Sequence, residues 1–424
     1  MNAVILSLFV VGYVAIIFEH GLRVNKAASA LLTAVACWTV FRFFGTDTAH
    51  ADQALAHHLS DISGILFFLL GAMTIVELID AHDGFQLLIG RVRTRSKRKL
   101  LWSVAILTFF LSAVLDNLTT AIVMVTLLRK LIADREDRWM LAGIVIIAAN
   151  SGGAWSPIGD VTTTMLWIGG QVTVTNLIVK TILPSVVSLL LPLLLVSSRM
   201  KGTLELLDTA SPADQRPSAL RERNIIFFTG VGFLLFVPVF KTITGLPPFM
   251  GMLLGLGFLW FITELIHAGK GASEKGVYSV NHALRKIDTP SILFFLGILL
   301  SVSALEVTGV LDAFSHQLER QIGDIRVTTV LTGLVSAVVD NVPLVAAVQG
   351  MYDLTMYPQD HFFWEFLAYC AGTGGSCLLI GSAAGVMVMG IERMDFFWYL
   401  RKISWLALLG YLAGAGLFLL LSAG

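Results

Sequence analysis

Between residues 100 and 128 the chain carries a single charged side chain, Asp116, followed directly by Asn117. The arms on either side, 100–115 and 118–128, contain no other charge. A carboxylate at that depth in hydrocarbon costs at least about 2.5 kcal/mol, which marks it as a functional-site candidate. The motif SAVLDN at 112–117 then returns as SAVVDN at 336–341. Any fold for this chain has to house two copies of one acidic break, and the place where two such copies meet is where a site is expected.

Only 14% of the 424 residues are charged and 56% are hydrophobic, against about 25% charged in soluble domains. With repeated uncharged runs of about 20 residues, the chain reads as an all-α polytopic membrane protein. Its formal net charge is zero, so no nucleic-acid partner is expected. Cys37, Cys370 and Cys377 have neither disulfide-framework nor metal-ligand spacing and read as buried inert thiols. The first apolar stretch, 3–18, follows no Lys or Arg and precedes no small-x-small cleavage site, so it reads as a spanning helix.

In order, spans are expected at 3–18, 27–44 and 61–79, with a polar loop over 45–60 and Glu77 near the end of the third span. An amphipathic piece, 84–92, leads into the basic run RVRTRSKRK at 91–99. Residues 100–132 form two arms of about 15 residues, short for a span of about 20. The basic run lies before them, and Arg129, Lys130, Arg135 and Arg138 lie after. Matching flanks indicate that the chain leaves on the face it entered. This segment is therefore read as a re-entrant hairpin with Asp116 and Asn117 at its tip.

The next span, 139–173, is interrupted at NSGGAWSPIGDVTTT, residues 150–164. Gly152, Gly153, Pro157 and Gly159 hold a regular helix poorly. Asn150, Ser151, Ser156, Asp160, Thr162, Thr163 and Thr164 would lie there at membrane depth. Non-helical backbone at that depth is tolerated only inside protein or beside an aqueous cavity. A span at 177–196 closes the first half, 1–198, and a polar linker fills 199–222. The second half, 223–424, has spans at 224–240, 249–267 and 291–308, with Glu306 near the end of the last. An amphipathic piece at 311–321 follows, then a hairpin at 327–356 with Asp340, Asn341 and Pro343 at its tip. A broken helix at 362–391 opens at TGGSCLLIGSAAG, residues 373–385, and a last span covers 396–421.

The halves match in order. GILFFLLG at 64–71 pairs with SILFFLG at 291–297, and SGGAWSPIG at 151–159 pairs with TGGSCLLIG at 373–381. Each half then holds five spans and one hairpin, and an odd number of spans inverts the second copy. Loop charge agrees: of 29 Lys and Arg, only Arg42, Lys180, Lys241, Arg320 and Arg326 fall on one face. Both termini are thereby placed outside and the linker in the cytoplasm. The first hairpin opens from the cytoplasm and the second from outside.

Two inverted copies with broken helices place a substrate near the midplane, where half-helix ends and unwound carbonyls coordinate ions. The first copy offers Asp116, Asn117, Thr119, Thr120, Asn150, Ser151, Ser156, Asp160, Thr162 and Thr163. The second offers Ser336, Asp340, Asn341, Thr373, Ser376 and Ser382. These are hard oxygen donors suited to a small cation rather than to copper or zinc. A proton and a cation can compete for one buried carboxylate, since either neutralises a charge that burial disfavours. That competition suffices for antiport, provided the empty, ionised carrier does not cross. Asp116, Asp160 and Asp340, with Glu77 and Glu306, are the candidates for proton coupling. The Asp residues can also cap helices through backbone N–H groups, and the two roles can coexist. Glu77 and Glu306 also suit an interfacial position. No Walker loop, HExxH or nucleophile elbow occurs, so the chain is not expected to be an enzyme.

With these motifs assembled, the sequence resembles the NhaD-type sodium/proton antiporters of the ion transporter superfamily over nearly its whole length. The resemblance rests on SAVLDNLTT, NSGGAWSPIGDVTTT, SAVVDNVP and GTGGSCLLIGSAAG in that order. It implies export of Na⁺, and of Li⁺, driven by proton influx across a bacterial inner membrane, with no cofactor beyond the transported ions. It implies a scaffold part, a moving part holding both hairpins, and a homodimer. The family's polar and acidic positions fall on Glu77, Asp116, Asn117, Asn150, Asp160, Thr162, Thr163, Ser336, Asp340 and Asn341, with Na⁺ expected at Asp116, Asn117, Asp160 and Asp340. Because the superfamily also holds dicarboxylate, citrate and arsenite carriers, an anion carrier is the alternative. Its tips would be expected to lack a bare Asp, and no Lys or Arg occurs at either tip here to reverse that repulsion.

Overall fold

The computed structural model describes residues 1–44, 48–89, 94, 96–200, 202–203, 217–269, 276 and 278–422. Among these the named elements are helices, and no strand is present. Among the described residues, eight helices are long and apolar enough to cross a membrane: Lys26–Phe44, Ala51–Ala81, Lys97–Leu115, Val174–Arg199, Leu220–Thr244, Pro248–Ile266, Thr289–Val307 and Phe396–Ser422. A chain that satisfies its backbone polar groups within helices of this length is a multi-pass membrane protein.

Three elements differ from the sequence expectation. The polar loop expected at 45–60 is largely helix, since Thr48–Ala81 runs unbroken for 34 residues. Ala is the commonest residue at its start, with no Gly or Pro before Gly64, so local propensity favours helix and the polar side chains only mark exposure. The first arm of the hairpin is longer than 15 residues: Lys97–Leu115 has 19, because Ser96 caps it and Lys97–Lys99 join its first turn. Within the expected linker, Val174–Arg199 ends and Pro217–Thr244 begins. Residues 204–216, Asp47 and the basic positions 91–93 and 95 lie outside the described residues.

The breaks fall where the motifs put them. Lys97–Leu115 and Asn117–Leu131 meet at Asp116, and Arg135–Gly153 and Val161–Ile168 flank the turn at 154–160. In the second half, Ile325–Val335 and Asn341–Met351 flank 336–340, while Phe362–Gly374 and Ala383–Glu392 flank 375–382. Close backbone approach holds these pieces. A Cβ on Gly152 would strike the backbone of Phe109, and one on Gly374 would strike the carbonyl of Gly333. Small residues at such crossings let helices touch where apolar burial itself supplies little drive.

Buried side chains form two cores. One joins Lys26–Phe44, Thr48–Ala81, Pro217–Thr244, Pro248–Ile266 and Thr289–Val307 through residues such as Phe68, Ile75, Leu234, Leu259 and Ile298. The other joins the first hairpin, Arg135–Gly153, Val174–Arg199, Phe362–Gly374 and Trp405–Ser422 through Val104, Val125, Ile144, Phe366 and Tyr411. The helices that follow Asp160 and Asp340 send Met165, Trp167, Val342 and Val345 into the first core. The breaks therefore lie on the seam between the two.

Candidate functional site

Asp116 has φ +84°, a backbone state that costs a non-glycine residue about 1–3 kcal/mol. Its side chain offsets part of that by capping the next helix. Oδ1 accepts from the Thr119 N–H at 2.8 Å and Oδ2 from the Thr119 hydroxyl at 2.8 Å. Asn117, the first residue of that helix, is buried and donates Nδ2 to Asp160 Oδ2 at 2.6 Å and to Asn150 Oδ1 at 3.1 Å.

Asp160 is 2% exposed and heads Val161–Ile168. Its Oδ1 accepts from the N–H and the hydroxyl of Thr162, both at 2.9 Å. From the second tip, Asn341 Nδ2 lies 3.3 Å from Oδ2 and 3.4 Å from Oδ1. Both tips thus deliver an amide to one carboxylate, which satisfies a buried charge with donors from three segments. Behind this, Asn150 Nδ2 donates to the hydroxyls of Ser376 and Ser382, each at 2.9 Å, and so ties one broken helix to the other.

Asp340 caps Asn341–Met351 through the Val342 N–H at 3.2 Å. It also meets a cation: Lys26 Nζ is 3.3 Å from Oδ2. The expectation that no Lys or Arg attends either tip is corrected here, because Lys26 reaches the tip from the start of a helix far away in sequence. No local spacing reveals that contact.

Asp116, Asn117, Thr119, Asp160, Asp340 and Asn341 share one cavity of about 60 Å³, closed across the seam by Phe68, Met73 and Phe295. That volume suits a few waters or a partly dehydrated alkali ion. An adjoining cavity of about 130 Å³ shares Met73, Leu118 and Thr119 with it and is lined by Glu77, Asp80, Lys286 and Asp288. Glu77 Oε1 is 3.1 Å from Lys286 Nζ. Glu77 therefore stands at the neighbouring cavity, and Glu306 is exposed and lines neither.

The remaining candidates take other partners. Thr163 donates to the Ser156 carbonyl at 2.7 Å, and Thr164 to the Pro157 carbonyl at 2.8 Å, so both hold the turn. Ser156 Oγ accepts from the Ile158 N–H at 3.4 Å in the same turn. Ser151 pairs with Ser188 at 2.8 Å on Val174–Arg199. Ser336 donates to the carbonyls of Gly333 and Ala371, and Thr373 to that of Tyr369. The exception is the buried Thr120 hydroxyl, which has no hydrogen-bond partner among the described residues. Sequence reasoning missed Lys26 and Lys286. One signal was available for Lys26: a lysine in the first turn opposes the helix dipole, so its position calls for an outside partner.

Comparison with known proteins identifies relatives over most of the chain. The family model described as citrate transporter matches residues 13–372. Sodium/proton antiporter 1 of Arabidopsis thaliana is 52% identical over 412 residues, 97% of this chain and 71% of that protein. The Na⁺/H⁺ antiporter NhaD of Alkalimonas amylolytica is 30% identical over 451 residues, 99% of this chain and 90% of that protein. NhaD of Vibrio cholerae is 30% identical over 98% of this chain and 91% of that protein.

Proposed function

The chain belongs to the citrate-transporter family and, within it, to the NhaD-type sodium/proton antiporters, and from that premise we propose that it exchanges cytoplasmic Na⁺, and Li⁺, for external H⁺ by alternating access. The family is one of transporters rather than enzymes. The observation that carries the reading is Asp160, a buried carboxylate that receives Asn117 and Asn341 from the two tips. In this structure Asn117 and Asn341 donate Nδ2 to Asp160. Turning either amide over presents Oδ1 instead. The same side chains then serve an ionised carboxylate or a cation without rebuilding the cavity. Alkali ions and protons both answer the negative charge at Asp160, so either one excludes the other.

Exchange needs a scaffold and a moving part. We assign the helices around Phe68 and Ile298 to the scaffold and those around Val104 and Tyr411, with both tips, to the carrier; the helices after Asp160 and Asp340 then rest their Met165, Trp167, Val342 and Val345 against the scaffold. Helix pairing supports two inverted repeats, 1–198 and 223–424. Lys26–Phe44 packs on Thr289–Val307 as Pro248–Ile266 packs on Thr48–Ala81. Asn117–Leu131 packs on Ala383–Glu392 as Asn341–Met351 packs on Val161–Ile168. Each pairing recurs with the halves exchanged. Loop charge supports termini on the outer face, which makes the Glu77 cavity the cytoplasmic approach. A homodimer belongs to the same reading.

The anion alternative is disfavoured by three carboxylates around one cavity, of which Lys26 pairs with only Asp340. The deciding experiment follows recovery of a ΔpH dye in everted vesicles on addition of Na⁺, Li⁺, K⁺ or choline. Recovery with Na⁺ that is lost in Asp160→Asn supports the proposal. Recovery with citrate or another dicarboxylate and none with alkali cations overturns it.

A further inference from the structure

We propose that Lys26 enforces coupling: its ammonium takes the place of the transported cation at Asp340 and holds the unloaded carrier against the scaffold. This rests on the antiport reading above. Lys26 begins a scaffold helix, and its Nζ lies 3.3 Å from Asp340 Oδ2 at the second tip. The pair thus crosses the seam along which carrier and scaffold must slide.

Lys26 gains nothing from its own helix. A cation at the positive end of the helix dipole is disfavoured, and that helix has no acidic residue in its first turn. Its surroundings favour a desolvated charge instead. Nζ sits 4.3 Å from the Phe294 ring centroid, over a face that attracts cations. Only a quarter of the Lys26 side chain is exposed, and 17% of Asp340. A largely buried pair of this kind breaks at a cost unless the carboxylate meets another cation.

Asp340 lines the same cavity as Asp160 and Asp116. A Na⁺ held there competes with Lys26 for the Asp340 oxygens. Loading the site therefore loosens the contact that fixes the carrier, while an empty site leaves it intact. An antiporter needs such a rule, because a carrier that crosses empty lets its ion leak without exchange. A ligand shifts an equilibrium only by its differential affinity for the two states, and the Lys26 contact supplies that difference.

The test uses full-length protein in proteoliposomes, with ²²Na⁺ and H⁺ fluxes measured together. Lys26→Gln is expected to pass Na⁺ with at least about a twofold lower H⁺:Na⁺ ratio, since one state loses its selective contact. Lys26→Arg is expected to keep the unaltered ratio. A Lys26→Gln ratio equal to that of the unaltered protein overturns the proposal. A second measurement needs no variant. Carbodiimide should join Lys26 to Asp340 in the unaltered protein in choline medium, detected as a linked peptide pair, and Na⁺ should suppress that product. A missing product, or one that Na⁺ leaves unchanged, also overturns it. If the unaltered protein moves no protons on addition of Na⁺, the antiport reading itself fails. If it does, and Lys26→Gln matches it, only the role of Lys26 fails.

Discussion

Asn117 and Asp160 lie 2.6 Å apart, Nδ2 to Oδ2, across two segments that the sequence interrupts for different reasons. One is an acidic hairpin tip and the other a Gly- and Pro-rich break. Their contact makes Asp160 the centre of the candidate site rather than Asp116, whose own oxygens are taken by Thr119.

Replacing Asp160 with Asn tests that ranking. Asparagine can still cap the helix through the Thr162 N–H, so folding should survive. It cannot supply a negative charge to Na⁺. Sodium-dependent proton flux should fall at least about tenfold, equivalent to about 1.4 kcal/mol, while elution on size exclusion stays unchanged. Full activity would mean that the exchanging charge lies elsewhere.

Asn150 makes a different prediction. It accepts from Asn117 and donates to Ser376 and Ser382, so it positions rather than carries charge. Asn150→Ala strands those buried partners, a loss of about 1–3 kcal/mol. The apparent Na⁺ affinity should weaken by about tenfold or more, with the maximal rate less affected. A change confined to the maximal rate would contradict the assignment.

A stability prediction concerns a contact with no part in binding. Arg138 Nε donates to Glu392 Oε2 at 2.7 Å, and the Glu392 side chain is fully buried. Arg138→Ala leaves that carboxylate only the more exposed Arg129, whose Nε is 3.9 Å from Oε1, and breaking a buried pair costs about 3–5 kcal/mol. The Tm in detergent should fall by several degrees. Replacing both residues with Met should recover most of the loss, because the desolvation of two charges disappears with them. An unchanged Tm in Arg138→Ala would show that the pair contributes nothing.

The breaks were legible because membrane depth makes polar residues informative: Asp116, Asp160 and Asp340 each turned out to cap a helix at an interruption. Capping and site-lining coexist in them, as the residue types allowed. What stayed hidden was pairing across the fold. Nothing near Asp340 announces Lys26, and nothing near Glu392 announces Arg138, since each partner arrives from another helix. The helical start of Thr48–Ala81 was missed for another reason. Its polarity mimics a loop, while its lack of Gly and Pro favours helix.

Competition at one carboxylate fixes a sign for pH dependence. If H⁺ and Na⁺ exclude each other at Asp160, protons raise the apparent KM for Na⁺ without lowering the maximal rate. The KM should then drop by about tenfold for each unit of rising pH while the site is mostly protonated, and level off once the carboxylate is ionised. The measurement is a Na⁺ titration of proton flux at several fixed pH values. Asp116→Asn, which keeps a cap acceptor for Thr119, should preserve the slope if Asp160 holds the exchanging proton. It should flatten the slope if Asp116 holds it instead. A KM independent of pH, with a falling maximal rate, would place proton and cation on separate groups and remove the shared carboxylate from the mechanism.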